Sequence, residues 1–292
     1  MEAPQKLQRR AQRRSKRTRI CIGVVAIIIV ILPNAITCAL LLSESTRLMN
    51  PVTILLPLYT YPTKNAWEPL FNAIDQNPST NITVIVNVDS GPGGEASPGS
   101  PYVSAVRRLN AAQNVNTIGY VRTNYSSRDI DLVIRDVATY SRWSDLDGTL
   151  AVSGIFFDET PHDLQQLQEP SYLADTNRAV ENSAGIRDPK LVIHNPDTIP
   201  SARLSPPGTD VTVIFENSFD AFQNSEAALE ALPGSRSSYS IMVHSVPSGK
   251  NLGKLLRTMS QGAEYLFLTS ADEGFYEHFS GSWDRFVSIM GS

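Results

Sequence analysis

The chain has 292 residues and a formal net charge of −4, and its first 19 residues hold eight Lys and Arg against one acid. The other residues hold 17 basic and 28 acidic side chains, and this net charge of −11 excludes a nucleic-acid-binding domain because phosphate contacts need clustered Lys and Arg. Both cysteines, Cys21 and Cys38, precede residue 43, so the rest of the chain has no disulfide and no thiolate zinc site.

The N-terminal 51 residues divide into a basic tail, an apolar segment and a linker. The tail, residues 1–19, is followed by Ile20–Leu42, in which 23 residues carry no charge. That segment is long enough to cross a hydrocarbon core of roughly 30 Å, and a spanning helix tolerates a kink at Pro33. Because a cleaved signal peptide has a shorter apolar region, we predict an uncleaved membrane anchor. The positive-inside rule then predicts a single-pass type II protein, with a linker at 43–51 and an extracellular or lumenal domain at 52–292.

Beyond the linker, short apolar runs alternate with segments of helical periodicity. Eight strands are predicted, at Val52–Leu58, Ile82–Val88, Asn116–Val121, Val152–Phe157, Lys190–His194, Val211–Phe215, Ser240–His244 and Glu264–Leu268. Helices are predicted at Trp67–Ile74, Tyr102–Ala112, Asp129–Tyr140, Asp163–Asn182, Ala221–Leu232, Leu252–Gln261 and Tyr276–Met290. The proline-rich connection between His194 and Val211 is predicted as a loop, as is Ser90–Pro101.

This alternation predicts an α/β fold with a parallel sheet and right-handed crossovers. Eight units in about 240 residues match the size of a (β/α)8 TIM barrel. A doubly wound open sheet is the alternative, and it usually carries a glycine-rich phosphate turn after its first strand. The first strand here ends in Leu58–Pro62, which contains no glycine, so the barrel is favoured.

Two buried strands end abruptly in acidic residues. Gly154–Phe157 runs into Asp158 and Glu159, and Val211–Phe215 runs into Glu216. Burial at a strand end raises the pKa of a carboxyl group, as acid and base catalysis near neutral pH requires. The alternative is that these acids are N-caps of the following helices. Strand alternation points Asp158 and Glu159 to opposite faces unless the turn redirects one of them.

The other strand ends carry hydroxyl, amide, carboxylate and aromatic groups of the kind that bind sugars. The predicted substrate-binding residues are Tyr59, Asp89, Tyr120, Arg122, Asn124, His194, Asn195, His244 and Asp272. Packing is the alternative role for the tyrosines and histidines. The pattern predicts neither a cofactor nor a metal, since a site of His194, His244 and Asp158 lacks closely spaced histidines. Two sequons, which are weak signals for glycosylation, begin at Asn81 and Asn124, and Asn81 lies at the outer end of a predicted strand, where a glycan can be attached.

Four motifs in order along the chain resemble the spherulin-4-like family. Ile54–Tyr59 resembles its PLYxYP opening, and Asn87–Gly93 its NPxSGPG segment, with Val88 in place of the usual proline. Gly119–Tyr125 is similar to GYVxTxY and Gly154–Glu159 to GIFFDE. Together the motifs and their spacing cover nearly all of 52–270.

The resemblance implies an activity. Fungal members are membrane-anchored (β/α)8 glycoside hydrolases that cleave the exopolysaccharide galactosaminogalactan as endo-α-1,4-N-acetylgalactosaminidases. It implies Asp158, Glu159 and Glu216 as essential acids, and by analogy with α-galactosidase barrels Asp158 is the expected nucleophile and Glu216 the acid/base. The expected partners are therefore a polysaccharide substrate and the membrane. A non-catalytic surface or spore-coat carbohydrate-binding protein, and a metal-dependent deacetylase, are the alternatives.

Overall fold

The computed structural model describes residues 50–204 and 206–291, apart from the side chain of Arg203. The expected basic tail, the membrane anchor and most of the linker lie outside these residues. None of the helices within them is both long and apolar enough to cross a lipid bilayer.

Eight parallel strands form a closed barrel in chain order, as the sequence predicts. They are β1 (Thr53–Leu58), β2 (Asn81–Val86), β3 (Val115–Arg122), β4 (Gly154–Asp158), β5 (Leu191–Asn195), β6 (Val211–Ser218), β7 (Tyr239–His244) and β8 (Tyr265–Leu268). The barrel closes where Thr53 and Ile54 of β1 pair with Tyr265 and Leu266 of β8. The strands are buried along nearly their whole length, which accounts for their apolar, β-branched composition.

Seven α-helices of the described chain surround the barrel. They are α1 (Glu68–Gln76), α2 (Ser100–Asn110), α3 (Ile130–Leu146), α4 (Tyr172–Glu181), α5 (Phe219–Glu230), α6 (Leu252–Gly262) and α7 (Trp283–Met290). Between β5 and β6 the described residues contain only a 3-10 turn at Ala202–Leu204, in agreement with the predicted loop. The space beside α4 is a surface cavity of about 630 Å³ lined by polar and charged residues such as Asn177 and Lys190.

Two predicted helices begin later than expected. The segment predicted at Asp163–Asn182 has a short 3-10 turn at Leu164–Gln166, and α4 starts only at Tyr172, because Pro170 interrupts the helical segment. The last helix, predicted from Tyr276, begins at Trp283, after a turn that includes Gly281. The shift leaves Tyr276 in the loop after β8, at the carboxyl-terminal face of the barrel.

A glycine fixes the approach of α3 to the barrel. A Cβ atom on Gly119 would lie 2.7 Å from the ring atoms of Tyr140 on α3, so only glycine leaves room for this ring. The Tyr140 hydroxyl donates to the carbonyl of Val86 and accepts from the backbone N–H of Tyr120, both at 3.1 Å. The buried Tyr140 therefore joins β2 and β3 and positions the backbone of Tyr120.

Strand β6 contains an irregularity just before its acidic end. Its pairing with β7 shifts between Val213 and Phe215. Phe215 packs edge-on against Phe222 of α5, with ring centroids 5.6 Å apart, so it faces the helix layer. The next residue, Glu216, faces the barrel mouth, and such bulges commonly redirect side chains beside active sites.

Candidate active site

A cleft of about 410 Å³ opens at the carboxyl-terminal face of the barrel, over the ends of β4 to β7. Its lining residues are Asp158, Glu159, Asn195, Asp197, Glu216, Asn217, His244 and Phe275. This is the face at which (β/α)8 enzymes carry out their chemistry. Four carboxylates in one cleft make it strongly acidic.

Asp158 and Glu216 are held together by one amide group. The Asn195 Nδ2 donates to Asp158 Oδ1 at 2.7 Å and to Glu216 Oε2 at 2.6 Å. The two oxygens therefore lie no more than about 5.3 Å apart, the sum of these two distances. The two strand ends that the sequence predicts to carry acids therefore place Asp158 and Glu216 next to each other.

Two tyrosines bind the outer oxygens of this pair. The Tyr120 hydroxyl donates to Asp158 Oδ2 at 2.6 Å, and the Tyr276 hydroxyl donates to Glu216 Oε1 at 2.5 Å. The ring of Tyr59 contacts both tyrosine rings edge-on, with centroids 5.4 Å from each. All four carboxylate oxygens accept a hydrogen bond, so both side chains are fixed from two sides.

Burial and mutual repulsion raise the pKa values of the Asp158 and Glu216 carboxyl groups. Burial is the main cause, and the charge of Asp158 the second, that together raise the pKa of Glu216 to about 7. Burial also raises the pKa of Asp158, against the hydrogen bonds from Tyr120 and Asn195. Burial and the nearby carboxylates raise the pKa of Tyr120 and Tyr276 well above its usual range, so both remain hydroxyl donors. Glu216 therefore keeps its proton below about pH 7, which places a carboxylic acid directly beside a second carboxyl group.

Glu159 lines the same cleft because the chain turns at this residue. Its φ of 52° is in the left-handed region, so the alternation expected for a strand ends here and both neighbouring acids reach the cleft. The Glu159 carbonyl accepts from Thr123 Oγ1 at 2.7 Å and from the backbone N–H of Tyr125 at 2.5 Å. Its carboxylate accepts from Arg122 Nε at 2.8 Å, so it forms an ion pair at the rim.

The N-cap positions of the helices that follow β4 and β6 are occupied by serines and not by these acids, and of the two only Ser218 makes a side-chain capping bond. The N-cap of α4 is Ser171, and the N-cap of α5 is Ser218, whose side chain accepts from the backbone N–H of Ala221. The alternative interpretation of Asp158 and Glu216 as capping residues is therefore wrong. Helix capping therefore does not explain why these two carboxylates are buried, and a chemical role is the remaining explanation.

The remaining predicted residues fall into three groups. His244 lines the cleft and stacks on Phe275, with ring centroids 3.9 Å apart. Arg122 and Asn124 lie exposed at the rim, 3.5 Å apart between Nη2 and Oδ1. Asp89 and Asp272 are exposed in the loops after β2 and β8 and do not line the cleft.

The structure places His194 away from the cleft, contrary to its prediction as a substrate-binding residue. It is 2% exposed, and its Nε2 lies 2.8 Å from Asn177 Oδ1 of α4, on the helix side of the barrel. Burial lowers its pKa to about 3, so it remains neutral. In β5, alternation points Asn195 inward and the preceding His194 outward, and the sequence alone does not reveal which of the two faces the cleft.

Sequence reasoning did not assign a role to the cleft-lining residues Asp197, Asn217 and Phe275, or to Tyr276, whose hydroxyl binds Glu216. Asp197 follows β5 with a φ of 58°, and its Oδ2 accepts from the Tyr125 hydroxyl at 3.2 Å. Phe275 and Tyr276 belong to the loop before the last helix, close to the start predicted for that helix. The adjacent glycine, Gly274, is the one local signal of a loop at this position.

A metal centre finds no support in the part of the chain that the structure describes. Within residues 50–204 and 206–291, no group of three or more His, Cys, Asp or Glu side chains is arranged to hold a metal ion. The combination of His194, His244 and Asp158 is not brought together, because His194 lies on the other side of β5.

Comparison with known proteins adds a family and two relatives. Residues 53–290 match the family model described as spherulation-specific family 4. Spherulin-4 of Physarum polycephalum is 30% identical over 218 residues, which are 72% of this chain and 60% of that protein. The crystal structure of Aspergillus clavatus Sph3 in complex with GalNAc superposes with a TM-score of 0.79 at 35% identity, over 84% of this chain and all of that one.

Proposed function

The chain belongs to spherulation-specific family 4, and we propose that it is a glycoside hydrolase in which Asp158 and Glu216 carry out the reaction. The observation that carries this proposal is the shared hydrogen bonding of the two carboxylates to Asn195. Burial of two carboxylates side by side is costly for stability, and acid/base chemistry on a glycosidic bond is a function that needs such a pair.

In the proposed mechanism, the Asp158 carboxylate attacks the anomeric carbon while protonated Glu216 gives its proton to the leaving glycosidic oxygen. The bond from Asp158 to the sugar forms as the glycosidic bond breaks. Glu216, now ionised, removes a proton from water, which then displaces Asp158 and releases the sugar. A separation of no more than about 5.3 Å between the nearest oxygens supports this retaining route, because an inverting enzyme needs roughly 6.5–9.5 Å to fit a water molecule.

The proposed substrate is α-1,4-linked N-acetylgalactosamine within galactosaminogalactan. This proposal is supported by the resemblance of the four sequence motifs and by the 35% identity to Sph3, whose structure was determined with GalNAc. The open cleft is compatible with cleavage inside a polymer. The ion pair of Glu159 with Arg122 is proposed to offer a charged rim to sugar hydroxyl groups beside the bond that is cleaved.

We further propose that residues 20–42 anchor the protein in a membrane with the barrel outside the cytosol. The support is the uncharged segment behind a tail of eight basic residues. The chain spans 60% of the length of spherulin-4. Alkaline extraction of membranes that contain the full chain tests the anchor: the protein stays in the pellet if the proposal holds and is released if it fails.

The test of the function uses the full chain in detergent with purified galactosaminogalactan. Wild-type protein is expected to release N-acetylgalactosamine oligosaccharides, measured by mass spectrometry. Asp158→Asn and Glu216→Gln are expected to lower turnover by about 10³-fold or more while the protein still binds the polymer. Binding without cleavage by the wild type would contradict the proposal and favour a carbohydrate-binding protein.

A further inference from the structure

Asn195 uses its whole amide group on the protein itself. It is 4% exposed, and its two N–H groups point to Asp158 and Glu216. Its Oδ1 accepts from the backbone N–H of Asp197 at 3.0 Å. An amide has two N–H donors, and both are occupied here. Asn195 therefore has no free donor for a sugar hydroxyl, although its position at a strand end predicts a substrate contact.

The surrounding backbone fixes the orientation of this amide. A backbone N–H is only a donor, so the N–H of Asp197 selects the oxygen of Asn195 and turns the NH2 group toward the acids. The Asp197 carbonyl in turn accepts from the backbone N–H of Glu216 at 2.9 Å, and the Asn195 carbonyl accepts from that of Thr160 at 2.9 Å. The amide cannot rotate by half a turn without losing the bonds to both carboxylates and to Asp197.

We propose that Asn195 is a positioning residue, which sets the spacing and protonation of Asp158 and Glu216, and that it does not bind the sugar. The expected effect of Asn195 on kcat and KM rests on the proposed hydrolase function, whereas its effect on the two carboxyl groups does not. Each carboxylate receives one N–H bond from the same nitrogen, which holds two mutually repelling groups at a separation suited to nucleophile and acid.

The charged and titratable groups around Asp158 and Glu216 show which donors offset the repulsion between these two acids. They lie in or directly after six strands: Tyr59 after β1, Tyr120 and Arg122 of β3, Glu159 after β4, Asp197 after β5, His244 of β7 and Tyr276 after β8. Arg122 is bound to Glu159 and does not contact the pair. The donors that oppose the repulsion between Asp158 and Glu216 are thus neutral hydroxyls and the amide of Asn195. An N–H that binds a carboxylate favours its ionised form.

The kinetic test compares Asn195→Ala with Asn217→Ala in the full-length protein. Loss of the N–H donors should lower kcat about 100-fold, leave KM within about threefold and move the alkaline limb of the pH profile up by about one unit. Asn217 also lines the cleft, but its Oδ1 accepts from the backbone N–H of Ser218, so its loss should leave the alkaline limb in place. A sugar ligand would behave differently: a raised KM for Asn195→Ala with an unmoved pH limb would overturn the proposal.

A second test does not depend on cleavage. Thermal unfolding is measured at pH 5 and at pH 8. The fall in Tm from pH 5 to pH 8 should be larger for Asn195→Ala than for wild type, because Asp158 and Glu216 are both ionised only at the higher pH. That excess should disappear in a Glu216→Gln background. An unchanged pH dependence would overturn the proposal, and absence of cleavage by wild-type protein would refute only the proposed function. If Asn195→Ala does not fold, Asn195→Asp replaces it, because aspartate keeps the shape of asparagine but lacks both N–H groups of the amide. It is expected to move the alkaline limb of the pH profile, and the Tm difference between pH 5 and pH 8, in the same direction.

Discussion

At the residue scale, the cleft combines two buried acids with neutral donors. Glu216 is bound by Tyr276 and Asn195, and Asp158 by Tyr120 and the same Asn195. Neutral donors stabilise negative charge without cancelling it, so a proton remains shared within the pair near neutral pH. A cationic side chain in the same position would fix both acids in the ionised state and remove the general acid.

Glu216→Gln should make the protein inactive and more stable at alkaline pH. The folded-state pKa of Glu216, about 7, is above its ordinary value of 4.5, so its contribution to stability is complete below pH 4.5 and is lost as the pH rises through 7. Glutamine removes this loss, which is on the order of 3 kcal/mol at pH 8. The Tyr276 hydroxyl can rotate to accept from the new amide. Thermal unfolding at pH 5 and pH 8 measures the gain, and a variant less stable than wild type at pH 8 would contradict the electrostatic account.

Tyr276→Phe should shift the alkaline limb of the activity profile upward. The hydroxyl bond from Tyr276 lowers the pKa of Glu216, so its loss lets burial raise that pKa further. We expect the limb to move by about one pH unit, with a roughly tenfold lower kcat. Tyr239→Phe is the matched control, because the Tyr239 hydroxyl donates to the carbonyl of Pro233, away from the cleft. Equal pH profiles for Tyr276→Phe and wild type would show that this bond does not tune Glu216.

At the element scale, the site depends on how α3 lies against β2 and β3. Tyr140 of α3 is completely buried and bonds to backbone groups of both strands, one of them the N–H of Tyr120. Gly119, the glycine opposite its ring, directly precedes Tyr120 in β3. Packing on the outside of the barrel thereby sets the position of a side chain that binds Asp158.

Gly119→Ala should therefore destabilise the domain and impair catalysis together. The added methyl group would lie 2.7 Å from the Tyr140 ring, so α3 or β3 must move. Overpacking of this kind costs about 2 kcal/mol, and displacement of Tyr120 should lower kcat as well. Gly148→Ala is the matched control, because a methyl group added there would meet no atom within 4 Å. Chemical denaturation measures the difference, and equal stability of the two variants would contradict the packing argument.

The elements that sequence predicts well are those whose signal is local. Each strand is a short apolar run between turn formers, and all eight are in the structure, with Gly154–Asp158 close to its predicted bounds. Asp158 and Glu216 were found for the same reason, since each ends such a run. His194 and Tyr276 were misplaced because strand alternation and helix start depend on tertiary packing, which no local pattern specifies.

At the scale of the whole molecule, closure of the barrel assembles the site from distant parts of the chain. Tyr59 directly after β1 and Tyr276 after β8 are in ring contact only because β1 pairs with β8. The bridge through Asn195 similarly needs β5 between β4 and β6. Such contacts join residues far apart in sequence, so the bond from Tyr276 to Glu216 could not be predicted from the sequence, whereas Tyr59, Tyr120 and the acids are recognised by their positions at strand ends.

The pH dependence of the intact protein follows from this assembly. The proposed mechanism needs Glu216 protonated and Asp158 ionised, and burial together with the charge of Asp158 raises the pKa of Glu216 to about 7. We expect kcat/KM to fall about tenfold for each pH unit well above 7, and to fall again at acidic pH when Asp158 takes up a proton. A rate that stays constant to pH 9 would show that Glu216 is not the general acid.

In the proposed mechanism, Asp158 and Glu216 cleave an α-linked galactosaminoglycan through a covalent intermediate. Time-resolved proton NMR of the first products from a defined α-1,4-linked N-acetylgalactosamine oligosaccharide tests it most directly. We predict that new reducing ends appear first as the α-anomer and then mutarotate. First appearance of the β-anomer, or no new reducing ends at all, would contradict this claim.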